Sequence, residues 1–90
     1  MTNMTDNDDK ENEKMVLVQL RHYLNNSTVI HFKLWSGEWR NAIIRSIDEV
    51  EKKVSIKEFV LGNLEYYFSE INPYSITEYN LTHGRKENAN

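Results

Sequence analysis

The chain has 90 residues, no cysteine and a net charge of −3. That length allows one small domain, the lack of thiols excludes disulfide staples and thiolate metal sites, and no apolar run is long enough to span a bilayer. Nothing at the amino terminus has the pattern of a secretory signal, so the expected setting is intracellular, in cytoplasm or nucleus, without membrane attachment. Residues 1–14 hold Asp6, Asp8, Asp9, Glu11 and Glu13 against Lys10 and Lys14, which accounts for the whole deficit. The remainder has nine acidic and nine basic residues, so it lacks the basic surplus typical of a phosphate-backbone binder.

In chain order, residues 1–14 are polar, acidic and without an aromatic or β-branched core former, the composition of a disordered tail. From 15 to 24, Val16, Leu17, Leu20, Tyr23 and Leu24 recur at three- and four-residue steps, which predicts a short amphipathic helix with Asn12 as a cap before it and Asn25-Asn26 as its stop. Ile30, Phe32 and Leu34 then alternate with His31, Lys33 and Trp35, the period of a strand with one face in the core. Ser36-Gly37 breaks that strand, and Ala42, Ile43, Ile44 and Ile47 follow in a second, so the stretch reads as a β-hairpin ending at Asp48. Val54 and Ile56 begin a third strand that runs to 60 or 61, and Gly62-Asn63 signals the next hairpin turn. A fourth strand is expected over 64–71, a break at Asn72-Pro73, and a fifth strand over 74–80. The folded domain is thus placed at 15–81, with a flexible carboxy-terminal tail over 82–90.

A helix followed by five short strands joined by tight turns predicts a mainly β fold, a strongly bent antiparallel sheet or small open barrel. Ile30, Phe32, Leu34, Gly37, Ala42, Ile44 and Asp48 also fall, without a gap, on the spacing of the first motif of the Sm and Sm-like (LSm) superfamily, which includes bacterial Hfq, and the stretch resembles that motif. Ala42 departs from it, since most members have Gly there. The resemblance implies a five-stranded Sm-like barrel.

In RNA-binding members, the motif's Asp is followed by a base-contacting Asn, and a later strand ends in Arg-Gly, or in Tyr-Lys-His in Hfq. Here Asp48 is followed by Glu49-Val50-Glu51-Lys52, and the later segment reads Tyr67-Phe68-Ser69-Glu70-Ile71. The donors that would read a uracil edge are missing, so RNA contact there is expected to be indirect or weak. Leu20-Arg21, the Phe32-to-Gly37 segment and Ala42 resemble the Gemin-type Sm-like subunits of the SMN complex, the seventh in particular, which keep the barrel without that pocket. This implies an assembly subunit in spliceosomal snRNP assembly and mRNA splicing. An RNA-binding LSm or Hfq-like ring protein is the alternative. A further alternative is a Tudor-like reader, since Trp35, Gly62 and Asn63 resemble that domain, although Arg40, Glu58 and Leu61 stand where its aromatic cage needs rings.

No catalytic constellation is expected. His22, His31 and His83 are scattered over helix, strand and tail, no Ser lies in a nucleophile-elbow or phosphate-loop context, and no spacing suits a metal or cofactor. The apolar and aromatic side chains exceed what a small barrel can bury. If Leu64, Tyr66 and Phe68 point inward, Tyr67 and Ile71 point outward, and Trp35, Trp39, Ile43, Tyr74 and Tyr79 add to the surplus. Exposed aromatics beside an edge strand suit a protein interface. In Sm-like proteins the fourth strand of one subunit pairs with the fifth of its neighbour. The resemblance therefore implies a hetero-oligomer formed through Tyr66, Tyr67, Ile71, Tyr74, Ile76 and Tyr79.

Overall fold

The computed structural model describes residues 2–79, with side chains from Asp9 onward. It comprises helix α1 (Thr2–Asn25), strands β1 (Val29–Lys33), β2 (Trp39–Asp48), β3 (Lys53–Glu58) and β4 (Gly62–Tyr67), a 3-10 turn (Phe68–Glu70) and a two-residue strand β5 (Thr77–Glu78). All pairings are antiparallel, and the order across the sheet is β4-β3-β2-β1-β5. The fold is therefore mainly β, one helix with a five-stranded sheet that does not close.

The expected apolar period sets the core. Ile30, Phe32 and Leu34 of the first hairpin, Ala42 and Ile44 of β2, and Val54 and Ile56 of β3 are buried on one sheet face. Val16 and Leu20 of α1 cover them, together with Phe68, Ile71 and Ile76. In β2 the apolar spacing changes from two to three between Ile44 and Ile47 because the pairing with β3 slips there: Ile44 faces Ile56, but Ser46 faces Ser55, leaving Arg45 as an extra residue. Such a bulge bends the strand and increases its twist. It returns Ile47 to the core side.

The turns follow local chemistry. Gly37 has φ +105° with open space where a Cβ would stand, so its conformation is what calls for glycine. Asp48 Oδ1 accepts the backbone N–H groups of Val50 and Glu51 at 3.0 and 2.9 Å, closing the turn between β2 and β3. Asp48 thus has a turn-capping job in its own right. At the helix end, Ser27 N–H donates to Leu24 O and Thr28 N–H to Tyr23 O, with Ser27 at φ +52°. This is a Schellman stop with serine in the position that usually takes glycine.

Four expectations need correction, the first being the third strand: it stops at Glu58 instead of running to 60 or 61, because Glu58 Oε1 accepts the N–H groups of Val60 and Leu61 and curls the chain there, so Gly62 and Asn63 open β4 rather than form the turn. The helix starts at Thr2, with residues 2–14 inside it, and Asn12 lies within the helix rather than capping it. Apolar content was the wrong measure for that segment. Once Val16 and Leu20 anchor one end, extending a helix through Asp, Lys and Glu costs little per residue, and Glu13 meets Lys52 at 3.4 Å on the sheet side. The fourth strand stops at Tyr67 instead of running to 71, because the chain coils into the 3-10 turn and then returns across β1, where Leu34 bridges Ile71. The fifth strand shrinks to Thr77–Glu78, since Asn72–Ser75 form a turn in which Ser75 Oγ, not a strand, supplies the acceptor for Lys33 N–H at 2.8 Å. The expected tail over 82–90 lies outside the described residues.

Candidate functional site

Backbone parity defines the two free edges. Phe68 N–H donates to Lys52 O, so the Lys53–Tyr67 pair is a non-bonded one and the backbone groups of Tyr67, Glu65 and Asn63 point away from β3. One of these donors is already used: Tyr67 N–H gives its hydrogen to Glu70 Oε2 at 2.9 Å. At the other end, Tyr79 N–H donates to Val29 O, which turns the backbone groups of Glu78 outward from the sheet. The open edges therefore centre on Asn63 and Glu65 on one side and on Glu78 on the other.

The expected interface residues divide. Tyr67 and Tyr74 are exposed, and Tyr79 is half-buried. Tyr66 points inward, its ring edge-on to Phe32 and its hydroxyl accepting from Arg40 Nε at 2.7 Å. That bond is the main cause raising the Arg40 guanidinium above its ordinary value. Ile71 and Ile76 were expected at the interface but are core residues, 1 % and 5 % exposed. The alternation that would have turned Ile71 outward assumed a continuous strand, and the 3-10 turn resets it.

Asp48 and Tyr67 come together across the sheet on either side of Lys53. Yet Lys53 Nζ sits 5.5 Å from the Tyr67 ring centre and 3.5 Å from Glu65, whose charge is the largest influence holding that ammonium above its ordinary value. Asp48 Oδ1 is thus committed to its turn and the Lys53 ammonium to Glu65 and the Tyr67 ring. The positions aligned with a Tudor cage are also occupied: Arg40 binds Tyr66, and Glu58 is buried beneath the hairpin tip.

Glu58 was not singled out by the sequence as a structural residue. It is the one buried charged side chain among the described residues. Its Oε1 accepts from Val60 N–H and Leu61 N–H at 2.7 and 2.8 Å, and its Oε2 accepts from Asn41 N–H at 3.2 Å. These bonds, the one from Leu61 foremost, hold the carboxyl below the ordinary carboxylate range against the opposing effect of burial. They also present Phe59, Val60 and Leu61 as an exposed apolar hairpin tip.

The outer face of the sheet, opposite the core, carries the remaining aromatics. His31 stacks on Trp39 with ring centres 4.2 Å apart and planes 3° from parallel, and its Nδ1 is hydrogen-bonded to Asn41 Oδ1. Tyr79 lies 6.1 Å from His31 and 6.3 Å from Phe59. The sequence placed His31 on the solvent side but could not show this grouping, which joins residues from β1 and β2, the β3–β4 turn and the residue after β5. The chain matches no protein-family model, no curated protein and no solved structure. Among the described residues, no three His, Asp or Glu side chains converge on a point that could hold a metal, and no helix is long and apolar enough to cross a membrane.

Proposed function

We propose that the chain is a non-catalytic assembly subunit of Sm-like type that joins other open-sheet subunits edge to edge, as a hetero-oligomer. The observation that carries this reading is the strand order, which places β4 and β5 at opposite margins of one antiparallel sheet. Each margin has outward backbone groups, so an incoming strand can extend the sheet on either side. Helix-first order, the motif spacing and the short outer strands agree with an Sm-like subunit. Spliceosomal RNP assembly is the setting that the sequence resemblance suggests.

The test uses proline. Among the described residues Glu65 N–H makes no ladder bond, so Glu65→Pro removes an edge donor and the exposed side-chain contacts to Lys53 and Ser55 while leaving the backbone pairing of β3 with β4 intact. Tagged full-length protein, recovered from its own cells with its associated chains, is expected to lose those chains on Glu65→Pro, with its melting temperature changed by only a few degrees. Glu78→Pro should do the same from the other margin. Unchanged recovery of the partners in both variants refutes edge pairing. Tyr67→Glu should weaken partner association without unfolding the subunit, whereas Ile71→Glu should unfold it, because Ile71 is buried.

A further inference from the structure

We infer that the β3–β4 hairpin tip, Phe59-Val60-Leu61, docks on a membrane surface that carries anionic phospholipid, whether or not the sheet edges pair. These three consecutive apolar residues stand at 55 %, 87 % and 55 % exposure. Turns are ordinarily built from Gly, Pro, Asn, Asp and Ser, and apolar surface held in water carries a free-energy cost that grows with its area. A cluster of this kind in a turn marks a contact site.

A bilayer admits backbone only where its polar groups are already bonded within the protein. The donors of the tip meet this condition. Phe59 N–H donates to Asn41 O at 3.1 Å, and Val60 N–H and Leu61 N–H donate to Glu58 Oε1 at 2.7 and 2.8 Å. Glu58 is buried beneath the turn and also accepts from Asn41 N–H, so three donors meet its charge and keep it off the surface. The tip therefore presents three apolar side chains and no free N–H.

The surroundings suit a lipid interface. Lys57 and Phe59 flank the inward-pointing Glu58, so both take the outer side of the sheet, and with Ile43 they line one crevice behind the tip. From Phe59 a line of rings leads through Tyr79 and His31 to Trp39, with successive ring centres 6.3, 6.1 and 4.2 Å apart. Tyr and Trp settle at headgroup level, where one end of the ring is apolar and the other wet. Lys57, and Lys33 opposite Trp39, have no ion-pair partner among the described residues, and their long stems let the ammonium groups reach lipid phosphate. Residues 1–14, which hold the whole net negative charge, belong to the chain segment of the helix that packs on the opposite face, away from these lysines. A protein groove is the competing occupant. Three tip side chains cover far less than the roughly 800 Å² per partner of a stable protein interface, whereas partitioning to a membrane adds up from a few apolar residues and cations. The expected lack of membrane attachment rests on the want of a spanning run, which docking at the surface does not need.

The experiment is sedimentation of the full-length protein with vesicles of phosphatidylcholine alone, or of equal parts phosphatidylcholine and phosphatidylserine, at low salt. Binding is expected to the mixed vesicles and more weakly to the neutral ones. Val60→Asp should weaken it roughly ten- to a hundred-fold, the range for withholding one aliphatic side chain from an apolar phase. Lys57→Ala should weaken binding to the mixed vesicles about five-fold, the share of one cation near an anionic surface, and leave binding to phosphatidylcholine unchanged. Both side chains are exposed, and circular dichroism melts check that the variants stay folded. In a Trp35→Phe background, where Trp39 is the only tryptophan, its emission should shift to shorter wavelength on adding mixed vesicles. No sedimentation with either vesicle at low salt overturns the inference. So does vesicle binding that survives both Val60→Asp and Lys57→Ala, which would place the contact away from the tip.

Discussion

Replacing Phe32 with alanine is expected to destabilise the fold by about 3–5 kcal/mol, the usual cost of deleting a buried aromatic side chain. Phe32 has no exposed surface, sits in β1 between β2 and β5, and meets Tyr66 edge-on with ring centres 6.4 Å apart. Its neighbours belong to strands whose positions are set by backbone ladders, so they cannot collapse fully into the space it leaves. A domain of this size has about 5–15 kcal/mol to lose, and the variant should be close to its unfolding midpoint at physiological temperature. Urea unfolding of the two proteins measures the difference. A loss below about 1.5 kcal/mol would show that the core repacks around the gap, contrary to the view that the backbone ladders hold the neighbouring strands in place.

Glu58→Ala is expected to cost about 2–3 kcal/mol, because it strips a charged acceptor from three backbone donors and leaves the hairpin tip without its brace. The same residue predicts how stability responds to acid. Its carboxyl is held below the ordinary range in the folded state, so the unfolded chain binds the proton more readily. The stabilisation from Glu58 is therefore complete above the ordinary carboxylate pKa, about 4.3, and is lost as the pH falls through the lower folded value. Glu58→Gln should be less stable than the parent at neutral pH, and the difference should narrow in acid. Melting curves from pH 7 to pH 3 test this. A constant difference across that interval would mean that the charge on Glu58 is not what secures the turn.

These two residues show different degrees of legibility. Phe32 could be assigned to the core from alternation alone, as could Ile30, Leu34, Ala42, Ile44, Val54 and Ile56, because a strand's two-residue period is a local property that burial then uses. Glu58 could not. A Glu at a strand end reads as a solvated charge, and only the curl of the 59–61 turn and the adjacent Asn41 N–H make it a buried acceptor. The motif positions were legible in the same local sense, and the structure gives several of them plain physical duties: Gly37 in a positive-φ turn, Ala42 in the core and Asp48 as a turn cap.

By itself, then, the sequence determined the inward-facing side chains of β1 to β3, the helix stop and the break at Gly37, all of which depend on residues a few positions apart. Only the tertiary structure decided that residues 2–14 are helical, that the 3-10 turn after Tyr67 sends Ile71 and Ile76 inward, and that Glu70 covers one edge donor. It also decided that Trp39, His31, Asn41, Phe59, Tyr79 and Lys57 share one face. The reason is physical: these outcomes depend on which strand lies beside which and in what register, and that is settled by burial of the whole apolar set at once, not by any one segment's period.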